Sequence, residues 1–286
     1  RAAQGVEAAF RERYPEAEVW NADALRYTNP AFRKAMSEGY ERFVRELPSV
    51  WGYVYDKLEA KPSGSKLKRT VAFFDRLNSQ PLVRMVNDFD PDVVVCTHFV
   101  PAEVLGQRRL KGKLRAPVSV VLTDYDIHTM WIQDGVDRYF VATDEMAYAL
   151  RVKGVDHADV VVSGLPVLPA FAKAYPGRRE MRRRLGLKPE APAVLLSAGG
   201  FGMMRVDQAV AILAERLPDV QWLAVAGRNE ALHRRLERVA AESRGTIVPF
   251  GFVDNMHELM AACDLAVAKS GGLTTSECLA MGVPLV

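Results

Sequence analysis

Short apolar runs alternate with amphipathic segments along most of this chain, from about residue 91 to its last residue. Runs such as 92–96, 117–122 and 193–197 are continuously apolar, which is typical of parallel strands covered on both faces. The segments between them place apolar residues at helical spacing. The pattern therefore predicts an α/β protein built from doubly wound parallel sheets.

The same pattern gives the order of the elements. The predicted strands are 92–96, 117–122, 138–142, 159–162, 193–197, 220–226, 246–249 and 264–268, and the predicted helices are 101–110, 144–153, 178–185, 206–217, 229–243, 256–262 and 275–281. A hinge containing Gly164, Pro166 and Pro169 separates two Rossmann-like domains, which we place at residues 1–165 and 166–286. Two such domains predict a cleft at the carboxyl ends of both sheets.

The two ends of the chain and a long insert interrupt this pattern. The chain opens inside an amphipathic helix, with Ala2, Val6 and Phe10 at helical spacing, and it stops inside a strand at 283–286. We therefore expect a fragment that lacks both ends of its parent. Residues 30–87 form a predicted helical insert, in which Trp51 and Tyr53 belong to an aromatic group that suits either a membrane-facing surface or ordinary helix packing.

Composition narrows the classes of function. The 286 residues are 49% hydrophobic and 26% charged, and the net charge of +3 gives no argument for nucleic acid. No apolar run reaches the roughly 18 residues of a membrane-spanning helix. Basic residues cluster at 61–69, 108–115 and 178–184, either as solvated faces or as contacts to an anionic membrane surface. Cys96, Cys263 and Cys278 lack metal-ligand spacing and are predicted to be reduced, buried residues of a cytoplasmic protein.

Glycine-containing loops follow four successive strands of the second domain, and together they predict an anion site on one rim. The candidate residues are Gly199, Gly200, Gly202, Gly227, Arg228, Phe252, Lys269, Ser270, Gly271, Gly272, Thr274 and Glu277. Backbone amides at a glycine-rich strand-to-helix turn can bind a pyrophosphate, with Lys269 adding charge and Glu277 accepting ribose hydroxyls. Tight turns and core phenylalanines are the alternative interpretation of the same residues.

Polar and aromatic residues also follow two strands of the first domain. His98 ends one strand, and Asp124, His128 and Trp131 follow the next. A carboxylate and imidazoles at a strand end suit proton transfer, so His98, Asp124 and His128 are the catalytic candidates. The alternatives are a core histidine and an aspartate cap beside a packed tryptophan. Asp124 also begins a D-x-D pattern, which is only a weak signal for a metal site. We expect no metal ion or other cofactor.

Two long motifs carry a resemblance to a known family. Lys269-Ser270-Gly271-Gly272-x-Thr274-x-x-Glu277, preceded by Gly251-Phe252-Val253, resembles the donor site of GT-B glycosyltransferases of family 28. Thr123-Asp124-x-x-x-His128-x-x-Trp131 resembles monogalactosyldiacylglycerol synthases and processive diacylglycerol glucosyltransferases in particular. The resemblance spans essentially the whole chain. It implies two facing Rossmann-like domains, with the nucleotide sugar held by the second.

The resemblance also implies roles for single residues. Glu277 would hold the ribose of UDP, the residues Ser270, Gly271, Gly272 and Thr274 would bind pyrophosphate and sugar, and Phe252 would lie against uracil. Gly199, Gly200 and Gly202 would face the donor. Trp131 and His128 would lie on the acceptor and lipid side, and the insert with Trp51 and Tyr53 would face the membrane. The family's main base lies in a glycine-rich loop that would precede Arg1.

These implications give one leading expectation and two alternatives. We expect inverting, metal-independent transfer of glucose or galactose from UDP-glucose or UDP-galactose to diacylglycerol, by a peripheral protein on the inner face of the cell membrane. A UDP-sugar 2-epimerase of the same architecture is the first alternative. A non-catalytic protein that binds a nucleotide sugar or a lipid is the second.

Overall fold

A computed structural model describes residues 1–30, 33, 80–199 and 205–286. Gly200, Gly202, Trp51, Tyr53, the 61–69 basic group and most of the predicted insert lie outside the described residues. The chain divides into two compact units, Glu16–Leu165 and a second formed by Pro166–Val286 together with Arg1–Pro15. This division falls at the predicted hinge, but the first helix, α1 (Ala2–Arg13), clusters with the second unit instead of the first.

The unit Glu16–Leu165 is built around a parallel sheet. Its helices are α2 (Gln80–Phe89), α3 (Phe99–Leu110) and α4 (Asp144–Val152), its strands are β1 (Val94–Cys96), β2 (Val118–Val121), β3 (Arg138–Val141) and β4 (Val160–Val162), and short 3-10 turns lie at Ala24–Tyr27, Thr129–Trp131 and His157–Asp159. The described strands pair in the order β1-β2-β3-β4, all parallel. Strand carboxyl ends therefore share one edge of this sheet.

Local sequence explains why these elements form. Every residue of β2 is buried, and its β-branched valines suit a pleated strand covered on both faces. Helix α4 begins where the Thr143 side chain accepts a hydrogen bond from the Met146 amide at 3.3 Å, and Asp144 and Glu145 place negative charge in its first turn. Such caps and patterns act locally, which is why the sequence alone predicts these boundaries.

The second unit contains a second parallel sheet. Its further helices are α5 (Arg178–Arg184), α6 (Val206–Arg216), α7 (Glu230–Glu242), α8 (Met256–Ala262) and α9 (Gly272–Met281), its strands are β5 (Ala193–Ser197), β6 (Gln221–Val225), β7 (Thr246–Phe250) and β8 (Leu265–Ala268), and a 3-10 turn lies at Pro169–Ala172. Leu195 and Leu223 pack into a core on one face, and Val194, Leu196 and Trp222 pack into a core on the other. The predicted parallel α/β fold is confirmed.

The strand order of this second sheet reverses beside β5. Its strands pair in the order β7-β6-β5-β8, all parallel. The chain runs outward from β5 through β6 to β7 and then returns to add β8 on the other side of β5. Ligands of open α/β sheets bind at such a switch point, outside the carboxyl ends of the strands. The topology therefore indicates that the loops after β5 and β8 are candidates for ligand binding.

Most predicted boundaries differ from the structure by at most two residues, and two elements need a larger correction. Helix α9 begins at Gly272, three residues before the predicted start at 275. Gly271 has the extended backbone of an N-cap residue, so the helical residues start directly after it. The predicted strand at 283–286 is reduced to a parallel bridge between Ala266 and Leu285.

The assignment of the first helix to the first domain was also wrong, because α1 packs against the other unit. A Cβ atom on Gly5 would lie 2.8 Å from the carbonyl oxygen of Val167, which shows how closely the two backbones approach. Only glycine permits that approach without a shift of one backbone.

Candidate functional site

The carboxyl ends of the four strands in the second sheet form one rim. Ser197 of β5 is in register with Val225 of β6 and with Ala268 of β8, and Val225 is in register with Phe250 of β7. The loops that follow these residues are therefore neighbours along a single edge. This arrangement agrees with the sequence prediction that the glycine-containing loops share a rim.

The loop after β8 delivers the start of α9 to this rim. Lys269 and Ser270 are exposed, and Gly271 precedes the first helical residue, Gly272. Among the described residues, no side chain caps this helix start. The first amides of a helix carry partial positive charge and lack partners within the helix, so this end of α9 suits an anionic ligand. Thr274, in the same turn, is half-buried.

Glu277 lies further along α9 and is buried, with its side chain 3% exposed. Its carboxylate accepts a hydrogen bond from the guanidinium of Arg1, which forms an ion pair with it. Burial raises the pKa of Glu277, and the positive charge of Arg1 acts in the opposite direction. A buried carboxylate beside a helix start can accept hydrogen bonds from ligand hydroxyls while the amides hold the ligand's phosphates.

The loops after β5 and β6 provide glycines in the left-handed backbone conformation. Gly199 has φ +75° and Gly227 has φ +64°, a region that glycine adopts without steric cost. An added Cβ on Gly199 would meet nothing within 4 Å among the described residues. The space beside the Gly199 Cα is therefore open as far as the described part of the chain is concerned.

An exposed aromatic ring and an arginine stand at the β6 and β7 end of the rim. Phe252 is 62% exposed, although large apolar side chains are usually buried. The guanidinium carbon of Arg228 lies 5.0 Å from the centroid of its ring, a cation–π contact. An exposed, partly fixed ring at this end of the rim provides a surface on which a flat base can stack. The alternative that Phe252 is a core residue was wrong.

In the first unit, the loops after β1 and β2 bring four rings together. Phe99 stacks on His98 at 4.2 Å between ring centroids and meets His128 and Trp131 edge-to-face at 5.5 and 5.7 Å. The rings of His98 and Trp131 are 6.3 Å apart. The structure thus brings together His98 from one loop with His128 and Trp131 from the next, all of which the sequence singled out. Trp131 is only 2% exposed, as the packed-tryptophan alternative describes.

The hydrogen bonding of His98 fixes its tautomer. Its Nδ1 accepts a hydrogen bond of 3.2 Å from the amide of Val100 and caps α3, so the proton of the neutral ring is on Nε2. Removal from water by its packed neighbours lowers the pKa of His98, the charge of Asp124 raises it, and His128 lowers it. In this tautomer Nε2 can only donate a hydrogen bond to a ligand, and the catalytic role of His98 stays a prediction. Asp124 itself is exposed.

The arginines of the 178–184 group are held by partners within their own unit. Arg182 is buried and donates to the Ala262 carbonyl at 2.9 Å and to Asp264, and Arg178 donates to the Cys263 carbonyl at 3.0 Å. The remaining three, Arg179, Arg183 and Arg184, form ion pairs with Glu190 or Glu180. These internal contacts give the arginines of this cluster partners within the protein, so the cluster can be explained without contact to an anionic membrane surface.

Three further features of the described residues bear on metal ions, on the cysteine thiols and on membrane contact. Between residues 1–30, 80–199 and 205–286, no group of three or more His, Cys, Asp or Glu side chains could hold a metal ion. The three cysteines are buried, and burial raises the pKa of Cys96 and Cys263 to about 12 and that of Cys278 to about 11. None of the helices described is both long and apolar enough to cross a membrane.

Comparison with known proteins gives two family matches and a set of relatives. A family model described as monogalactosyldiacylglycerol (MGDG) synthase matches residues 1–167, and one described as glycosyltransferase family 28 C-terminal domain matches residues 203–286. Processive diacylglycerol beta-glucosyltransferase of Bacillus subtilis (strain 168) is 29% identical over 219 residues, 77% of this chain and 56% of the relative. Monogalactosyldiacylglycerol synthase 1, chloroplastic, of Arabidopsis thaliana is 29% identical over 299 residues, 99% of this chain and 54% of the relative.

The chain thus spans about half the length of these curated relatives. Among solved structures, the S. aureus MnaA–UDP co-structure has a TM-score of 0.54 at 16% identity, covering 81% of this chain and 67% of that one. MurG of Acinetobacter baumannii has a TM-score of 0.51 at 18% identity, covering 74% of this chain and 56% of that one. At these identities the similarity shows a shared fold.

Proposed function

The chain belongs to the monogalactosyldiacylglycerol synthase family, and from that premise we propose that the protein transfers a hexose from a UDP-sugar to diacylglycerol with inversion. The observation that carries the proposal is the rim of the second sheet, where the strand ends are in register. A helix start without a side-chain cap and a buried carboxylate follow β8, and an exposed aromatic ring follows β7. Each feature suits one part of a uridine diphosphate: pyrophosphate, ribose and base.

The nucleotide sugar would bind with its pyrophosphate at the start of α9. The amides that follow Gly271 donate to the phosphate oxygens, and Lys269 adds a positive charge. Glu277 accepts hydrogen bonds from the ribose hydroxyls, and uracil stacks on Phe252. Gly199, in the loop after β5 at the switch point, would face the hexose. In support, the S. aureus neighbour with this fold was solved with UDP.

The chemistry follows from the leaving group. A base takes the proton from the acceptor hydroxyl as its oxygen attacks the anomeric carbon, and the bond between that carbon and the UDP oxygen breaks from the opposite face. UDP departs with an added negative charge. The helix start and Lys269 stabilise the transition state, in which this charge develops, more strongly than they stabilise the ground state. The protein needs no metal ion for this step in the proposed scheme. The ring cluster of His98, His128 and Trp131 would serve the acceptor.

Diacylglycerol is the proposed acceptor because the relatives from Bacillus subtilis and Arabidopsis thaliana are named for transfer to it or for its galactolipid product. Diacylglycerol is held in bilayers, so the protein would work at a membrane surface, and we place it at the inner face of the cell membrane as a peripheral protein. The donor would be UDP-glucose or UDP-galactose. These donors differ at one hydroxyl, which separate assays with each of them resolve.

The test is incubation of the protein with vesicles containing diacylglycerol and either UDP-glucose or UDP-galactose, with lipid products identified by mass spectrometry. The proposal predicts a hexosyl-diacylglycerol, with the anomeric configuration of the donor inverted. A parallel reaction with UDP-N-acetylglucosamine and no vesicles, followed by NMR, tests the 2-epimerase alternative suggested by the shared fold. Epimerised nucleotide sugar without glycolipid would overturn the proposal, and UDP binding with neither product would favour a non-catalytic binding protein.

A further inference from the structure

An ion pair connects the residue before α1 to the middle of α9. Arg1 and Glu277 form it across a sequence separation of 276 residues, within one compact unit. The side chain of Glu277 is 3% exposed and that of Arg1 is 48% exposed. An ionised carboxylate at this depth is costly without a hydrogen-bonded cation. The pair is therefore more than a contact between exposed surface charges.

The surroundings of Glu277 contain few other charges. Among the described residues, the side chains that act on it or are acted on by it are the guanidinium of Arg1 and the thiol of Cys278. Of the described elements, α8 and the Pro169–Ala172 turn have the most extensive contacts with α9, and the turn has no titratable residue. On α8, Glu258 accepts a hydrogen bond from Asn255 at 2.7 Å, and His257 packs against the ring of Phe171.

We infer that Arg1 is a positioning residue of the donor site, whose guanidinium keeps Glu277 ionised and oriented to accept hydrogen bonds from a ribose diol. The identity of the ligand rests on the proposed function, whereas the pair itself does not. Among the described residues, Arg1 is the one hydrogen-bond partner of this carboxylate, and it occupies Oε1. Oε2, with two lone pairs, is left to accept from the hydroxyl groups of the ligand.

The physical consequence is a dependence on pH. A carboxylate accepts two hydroxyl hydrogen bonds, whereas a protonated carboxyl group gives up part of that capacity. Burial raises the pKa of Glu277 and Arg1 opposes this, so removing Arg1 leaves burial unopposed. An opposite charge in contact typically changes a carboxyl pKa by about 1–3 units, and the exposure of Arg1 favours the lower end of that range. As the pH falls, ribose binding should therefore be lost at a higher pH in Arg1→Ala than in the wild type.

The experiment is titration calorimetry with UDP across the range from about pH 5 to 9. The proteins are the wild type, Arg1→Ala, Arg1→Lys, Glu277→Gln and the double variant, with Arg11→Ala as a matched control on α1. Arg1→Ala should shift the pH midpoint of UDP affinity upward by about one unit or more. Arg1→Lys should restore most of the wild-type midpoint, and Arg11→Ala should leave it in place. Ionisation of UDP itself is common to all variants and cancels.

The double variant separates the inference from its rivals. If Arg1 acts through Glu277, adding Arg1→Ala to Glu277→Gln should change affinity by less than about twofold, because the carboxylate it serves is gone. An equal loss in both backgrounds would show that Arg1 contacts UDP itself, and an unshifted midpoint in a folded Arg1→Ala protein would show a merely structural pair. Either result overturns the inference alone. Unchanged UDP binding by Glu277→Gln would instead overturn the donor site that the proposed function requires.

Discussion

Phe252 gives the sharpest prediction about the base end of the donor site. Its ring is 62% exposed and carries the Arg228 guanidinium at 5.0 Å from its centroid. Replacing it with alanine removes the stacking surface but takes little from the core. The change in the free energy of unfolding should stay within about 0.5 kcal/mol, the usual range for surface substitutions. The affinity for UDP should fall.

The magnitude follows from the exposed area. A phenylalanine side chain offers ~200 Å², so an exposed fraction of 62% leaves ~120 Å² in water before the ligand binds. A base that covers about half of this area removes ~60 Å², which corresponds to ~1.5 kcal/mol at 25 cal/mol per Å². This is about a tenfold increase in Kd. The value lies within the ~1–3 kcal/mol measured for base–aromatic stacking in nucleic-acid binding.

The assay is calorimetric titration of wild type, Phe252→Ala and Phe252→Leu with UDP and with inorganic pyrophosphate, which lacks a base. Phe252→Ala should weaken UDP binding about tenfold and leave pyrophosphate binding unchanged. Phe252→Leu, which keeps apolar area without a flat ring, should fall between the two. Equal UDP affinity in all three folded proteins, or a parallel loss for pyrophosphate, would refute the stacking argument.

Two further predictions concern stability. Gly135→Ala should cost more than ~2 kcal/mol in thermal unfolding, because φ is +80° there and the new Cβ would lie 2.2 Å from a backbone oxygen. Gly112→Ala, where φ is +63° and the new Cβ would meet nothing within 4 Å among the described residues, should cost only ~1 kcal/mol. Equal losses would contradict the close-packing argument. Arg109 lowers the pKa of Asp137 through its hydrogen bonds, so this carboxylate stabilises the fold above its unfolded pKa of about 3.9 and loses that effect as pH falls through its folded pKa. Denaturant titrations should therefore show Asp137→Asn less stable than wild type at pH 7, with the difference vanishing in acid; a difference independent of pH would contradict this.

Local signals explain how much of the fold could be predicted. β5 and α8 have the predicted bounds, because a continuous apolar run and a helical repeat each reflect burial within a few residues. The start of α9 was missed since glycines were taken only as turn residues. In the structure Gly271 caps the helix and Gly272 is its first residue. The rim followed from the rule that parallel strands share carboxyl ends.

Contacts between distant segments could not be predicted in this way. The partner of Arg182 is Asp264, 82 residues away, so the basic helix looked like a free surface. The amphipathic face of α1 showed that it packs somewhere but not against which unit, and the ion pair of Arg1 with Glu277 depends on that choice. The available signal in the sequence was Glu277, a glutamate on the helix that follows the glycine-rich loop. Once buried, such a residue requires a cation as its partner.

The central claim is that the rim with Glu277 holds a uridine nucleotide. Its most direct test is the dissociation constant of UDP for the wild-type protein and for Glu277→Ala at pH 8, with thermal unfolding confirming that both are folded. The account predicts saturable binding by the wild type and an affinity at least about tenfold weaker in the variant, as for the loss of a charged hydrogen-bond acceptor. Equal affinity in the two folded proteins, or no UDP binding by the wild type, would contradict it.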